Sequence, residues 1–144
     1  MAIPITSPAR LLARALQTLA TGLTLPSESD YPYKAFHAPL AEAIPLNAAS
    51  FHTAAHLGRK NNKLYLISAA EFFKMNEEPD QNSPENILAY RRLQKVMQAT
   101  LQNLIVIYAR GDDVVEVPFF VFGRLPIGIE AGSLIGLKSI AVET

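Results

Sequence analysis

Cysteine and tryptophan are both missing from these 144 residues. Without cysteine there can be no disulfide, no thiol nucleophile and no thiolate metal site. Net charge is missing too, since 13 basic residues balance 13 acidic ones. A dominant polyanion-binding role normally needs a basic excess or stripe, so direct nucleic-acid binding is not expected. Although 49% of the residues are hydrophobic, no uninterrupted apolar run reaches the length of a membrane span. The composition reads as one globular domain over residues 1–144, large enough to bury a core. The expected location is cytoplasmic, with no membrane association. Acids are also missing before Glu28, whereas Arg10 and Arg14 lie in that stretch. An acid-free leader with arginines can resemble a transit peptide. Arg14 and Gln17 interrupt its apolar stretch, which makes it a poor secretory signal, and an ordinary first helix is expected instead.

What is present is punctuation. Ser7-Pro8 is a helix start, because serine caps free N–H groups and proline is tolerated in the first turn. A helix over about 8–20 follows, with Leu11, Leu12, Leu16 and Leu19 facing the core and Gly22 as a stop. Tyr31 to Phe36 reads as an edge strand beside Pro32. Ala48 to Leu57 reads as a short helix, and Leu64 to Ile67 as a strand. Ser68 and Glu71 have capping-box spacing and open a helix through Phe72-Phe73. Ser83-Pro84-Glu85 starts a long helix. Its apolar face is Ile87, Leu88, Leu93, Val96, Met97, Thr100 and Leu101. Leu104 to Tyr108 is an apolar strand buried on both faces. The next strand runs from Val114 to Phe122, with Pro118 implying a bulge or an edge. Gly123 to Gly136 reads as a glycine-rich loop, and Leu137 to Val142 as the last strand. The expected class is α/β (α+β): a mixed sheet with a C-terminal antiparallel meander, covered by helices.

The chemistry-bearing residues form no catalytic set. His52 and His56, four apart on a possible helix, could reach one metal, with His37 and Glu42 upstream. The plainer reading is two surface or boundary histidines. Gly123-Arg124-Leu125-Pro126-Ile127-Gly128 lacks the Gly-Lys-Ser/Thr ending of a phosphate loop. Arg59, Lys60 and Lys63 read as a solvated turn, and Asp112-Asp113 as turn chemistry. Ser27 and Ser29 have neither a sequence-local base nor a Gly-x-Ser-x-Gly elbow. The chain therefore does not read as an enzyme.

Two features point to a protein partner instead. Pro26 and Pro32 bracket Ser27-Glu28-Ser29-Asp30-Tyr31, a polar loop whose prolines lower the entropy lost on binding. The sequence ends on Ala141-Val142-Glu143-Thr144 directly after an apolar run. Glu143, the Thr144 hydroxyl and the main-chain carboxylate place three oxygen-bearing groups at one tip, which suits Mg²⁺ or an arginine-rich cleft.

The hexapeptide Ser27-Glu28-Ser29-Asp30-Tyr31-Pro32 resembles the Ser-Glu-Ser-acid-Tyr-Pro segment of the nuclease A inhibitor family. Gly123, Pro126 and Gly128, the closing Ser139 to Thr144, Phe72-Phe73 and Leu93-Gln94-Lys95 fall in that family's order. The resemblance implies an α/β/α sandwich that blocks a Mg²⁺-dependent, sugar-non-specific nuclease of the ββα-metal type. It implies that Thr144 enters the active site and meets the catalytic metal with its hydroxyl, and that Glu28 contacts the basic cleft. Ser27, Ser29, Asp30 and Glu143 would share the contact. In the loop before the long helix, where family members can present an acid and a tryptophan, Asp80 would supply the acid. The Mg²⁺ would belong to the partner, and the chain would carry no cofactor of its own. Two other readings remain: an interaction domain with a non-nuclease partner, and a small-molecule binding protein or enzyme using the His37, His52 and His56 region.

Overall fold

The structure is a computed structural model that describes residues 7–23, 31–55, 57, 63–111 and 116–142. Among these, four helices and five strands follow the expected order: α1 Pro8–Leu19, β1 Lys34–Ala38, α2 Ala48–Ala54, β2 Lys63–Ser68, α3 Ala69–Asn76, α4 Pro84–Thr100, β3 Gln102–Arg110, β4 Glu116–Arg124 and β5 Leu134–Val142. The strands form one sheet in the order β1-β5-β4-β3-β2.

The expected mixed sheet is instead antiparallel at every pairing. Two helices, α3 and α4, join β2 to β3, and two passes return the chain to the end of the sheet it left. A single crossover helix would have made the pair parallel. A single helix does join β1 to β2, and these two strands run the same way. They occupy opposite edges and never pair.

Alternation along the strands gives each face its own core. Val106, Val117, Phe119, Val121, Ile135 and Leu137 point to the face that carries α1, α3 and α4. Phe36, Ile107, Phe120, Phe122 and Leu134 point to the face that carries α2 and its Phe51. On the first face the hydroxyls of Tyr33 and Tyr90 lie 2.9 Å apart. That bond satisfies two buried polar groups and joins α4 to the chain entering β1.

Several expectations on individual residues change. In α1 the buried residues are Ala9, Ala13 and Leu16, while Leu11 is 54% and Leu19 36% exposed, and Leu12 packs only partly. Small residues let a helix lie close against its neighbour, whereas leucines at these positions would hold it away. In α4, Tyr90 takes a core position and Leu88 is exposed. Leu88 lies one helical step, about 100°, from buried Ile87. Strand β1 begins at Lys34 rather than Tyr31; Pro32 has no N–H for a ladder. Helix α2 stops at Ala54 rather than Leu57.

Pro118 makes neither an outer strand nor a bulge. Strand β4 lies between β3 and β5, and its register with β5 runs unbroken through Pro118 and Ile140. The ladder to β3 ends one residue away, at the Tyr108 and Phe119 pair, and a residue without an N–H fits where pairing to that neighbour stops. Strand β5 begins at Leu134, three residues before the expected start. Gly136 is a strand residue and not part of the loop. A Cβ on it would lie 2.0 Å from the Val121 carbonyl oxygen and 2.6 Å from Phe122 Cα. Glycine here marks close approach within the sheet, not a turn.

Candidate protein-interaction site

The strand directions sort the connections to two ends of the sheet. At one end lie the start of β1, the start of β4 and the exit of β5 at Val142, as the pairs Lys34 with Lys138 and Glu116 with Val142 show. At the other end the loop 125–133 joins β4 to β5. Helix α1 starts at this loop end, where Glu130 accepts hydrogen bonds from Ser7 Oγ at 2.8 Å and from the Ala9 N–H at 2.9 Å. It therefore runs toward the exit end, where the chain resumes at Tyr31.

Tyr31 is tied to that end by two sets of bonds. Ser139 Oγ, on β5, approaches the carbonyl oxygens of Tyr31 and Pro32 at 3.2 and 3.1 Å as donor. The Tyr31 hydroxyl donates to the Glu116 carboxylate. That bond, then burial and the charge of Glu116, raise the Tyr31 pKa. Glu116 is in turn the cross-strand partner of Val142. Thus the residue after the 27–30 motif and the residue before Glu143 flank one another across Glu116. Sequence reasoning did not single out Glu116, since 85 residues separate it from Tyr31 and no spacing rule links them.

Asp80 is exposed in the loop between α3 and α4. Asn82 organises that loop. Its side-chain amide donates to the Asn76 carbonyl at 2.9 Å, and its Oδ1 accepts from the Ser83 N–H and from Asn86 Nδ2, each at 3.0 Å. Helix α4 leaves the loop, passes Tyr33 at Tyr90, and delivers Leu101 to β3 at the loop end. Asp80 therefore lies toward the exit end. Of the partner-binding residues read from the sequence, Ser27, Glu28, Ser29, Asp30, Glu143 and Thr144 lie outside the described residues; Asp80 lies within them.

The histidine constellation does not come together among the described residues. His52 is on α2, His37 is on β1 opposite Ile135, and His56 lies outside them. Burial lowers the His37 pKa, and Arg10 adds to this, while the Glu130 charge opposes it. Among the described residues, a cleft of about 480 Å³ on the α2 face is lined by aromatic, proline, lysine, serine and aliphatic side chains and by no histidine. Among the described residues no group of three or more acids and histidines could hold a metal ion. None of the described helices is long and apolar enough to cross a membrane.

A family model, described as NuiA, nuclease A inhibitor-like protein, matches residues 10–144. No curated protein matches the chain.

Proposed function

Because this chain belongs to the nuclease A inhibitor-like family, we propose that it blocks the active site of a Mg²⁺-dependent, sugar-non-specific nuclease of the ββα-metal type. The contact surface is the exit end of the sheet. Thr144 enters the active site, and its hydroxyl takes a position at the partner's Mg²⁺ otherwise filled by a substrate oxygen. A hydroxyl and carboxylates are hard oxygen donors of the type Mg²⁺ prefers. Glu28, with Asp30 and the hydroxyls of Ser27 and Ser29, meets the basic cleft; Glu143 and Asp80 extend the acidic contact. The whole chain is electrically neutral, so complementarity to a basic cleft comes from these few local acids. The chain acts by occupancy, performs no catalysis and carries no cofactor of its own, and it works in the cytoplasm.

The observation that carries this reading is the tie from Tyr31 through Glu116 to Val142. One cleft can touch the 27–30 motif and the 143–144 terminus only if they share an end. The flanks of both segments do share one.

The test is a panel of ββα-metal nucleases assayed with and without the purified chain at fixed Mg²⁺. Stoichiometric loss of activity in at least one, with a complex seen by sizing chromatography, is the expected result. A panel left uninhibited, with no complex formed, would overturn the proposal.

A further inference from the structure

Helix α2 covers only part of its face of the sheet. The Phe51 ring sits over Phe36, Phe120 and Phe122, with centroids 6.2, 5.2 and 5.2 Å away. Toward the exit end that cover stops, and the cleft of about 480 Å³ opens. Pro118 and Ile140, which are cross-strand partners, form its floor with Phe120. Ala55 and Leu57, just past α2, form its wall.

One row of strand residues at this cleft runs against ordinary sheet chemistry. Lys34 on β1 stands directly opposite Lys138 on β5, and Lys138 stands opposite Phe120 on β4. Directly opposed residues bring their Cβ atoms within about 4.5–5.5 Å, and like charges placed so are destabilising. Both lysines are exposed, and neither has an ion-pair partner among the described residues. A lysine stem is apolar and lies along greasy surface while its ammonium reaches water. The two stems therefore extend the apolar floor, and the two ammonium groups stand at its rim.

We propose that this cleft binds a free, small amphiphilic anion. Its anionic head bridges Lys34 and Lys138, and its apolar body lies over Phe120, Pro118 and Ile140 toward Leu57. An anion between the lysines turns a repulsive pair into two charge-assisted contacts. The volume falls in the range of small-molecule sites, which are mostly apolar with a few placed polar groups. Charge complementarity selects an anion over a neutral apolar ligand, and the apolar floor selects an amphiphile over a bare inorganic ion. The proposal does not depend on the nuclease reading: Tyr31 and Pro32, which close the 27–32 motif, also line the cleft, but the anion is held by Lys34 and Lys138, which that reading does not use.

The test uses the full chain and two probes of equal chain length, decanoate and 1-decanol, below their aggregation limits. Isothermal titration calorimetry reads the affinities of the wild type and of the double variant Lys34→Gln/Lys138→Gln. Expected are saturable one-to-one binding of decanoate, binding of decanol weaker by about tenfold or more, and the same loss for decanoate with the double variant. Without ligand, the double variant melts no lower than wild type, because the like-charge repulsion is gone. Absence of saturable decanoate binding overturns the proposal. So does equal binding of the two probes, which would mean an apolar groove without a head-group site. Unchanged decanoate affinity in the double variant overturns it as well.

Discussion

Glu130 caps a helix by accepting from the N–H of Ala9, 121 residues earlier in the chain. Ser7 is the residue a sequence reading expects to cap α1, and its Oγ does accept from the Arg10 N–H, at 3.3 Å. The shorter contacts are those of Glu130, to Ser7 Oγ and to the Ala9 N–H. A carboxylate there also faces the positive end of the helix dipole. The Ser7 bond, then the Ala9 bond, hold the Glu130 pKa below its ordinary value of 4.5. A lowered pKa means that the native state favours the charged form, so the contribution is complete above about pH 4.5. It is lost as pH falls through the depressed native value. Glu130→Gln should therefore melt below wild type at pH 7, and the gap should close in melts recorded progressively below pH 4.5. A gap constant across that range would mean the charge plays no part. The same variant removes the charge that raises the His37 pKa. Titration followed by NMR should then place His37 lower still. Ser7 was legible because a cap is a local pattern; Glu130 was not, because nothing local links it to α1.

At the scale of elements, punctuation carried most of the information. Ser7-Pro8, Ser68 and Ser83-Pro84 start helices where expected, each serine accepting from the N–H three residues on. Faces were less legible. A count of leucines finds Leu16 and the partly packed Leu12 on the core side of α1, but it misses Ala9 and Ala13, which the sheet beneath accepts, and includes Leu11, which is left in water. Gly136 shows the same limit. Next to a glycine-rich stretch it reads as loop, yet it lies in β5 between Phe36 of β1 and Phe122 of β4. Those rings stand 5.7 Å apart, centroid to centroid. Gly136→Ala sets a Cβ against backbone at 2.0 Å, and backbone cannot move aside as a side chain can. The expected cost is about 3 kcal/mol or more, above the usual range for overpacking. Urea denaturation checks it; a loss under about 1 kcal/mol would show that the strands part easily.

The whole molecule decides whether the short motifs can act together. Segments 27–30 and 143–144, and the Asp80 loop, are far apart in sequence, and only the antiparallel order brings their flanks to one end. Thr144 provides the sharpest test of what that end does. Removing it withdraws the hydroxyl and shifts the carboxylate back by about 3.3 Å along an extended chain. Metal–oxygen contacts tolerate only a few tenths of an ångström. Deletion of Thr144 and Thr144→Val should each weaken inhibition of a cognate nuclease on the order of 100-fold, while Thr144→Ser keeps most of it. Stability should change by less than about 0.5 kcal/mol in all three, as for surface substitutions. Inhibition equal to wild type in the deletion and in Thr144→Val, with unchanged melting, would rule out metal capping.

By itself the sequence determined the kinds of elements, their order and the absence of thiol chemistry. It did so because caps, prolines, apolar periods and composition act over a few residues. The motif Ser27 to Pro32 and the closing Val142-Glu143-Thr144 were legible for the same reason. Tertiary structure decided the antiparallel pairing, the buried stripe of α1, the Glu130 cap, and the end at which Tyr31 bonds Glu116, the cross-strand partner of Val142. It also set Lys34 opposite Lys138 beside the apolar floor of a cleft. These depend on which strands become neighbours and in what register. Many distant contacts decide that together, and no short stretch of sequence contains it.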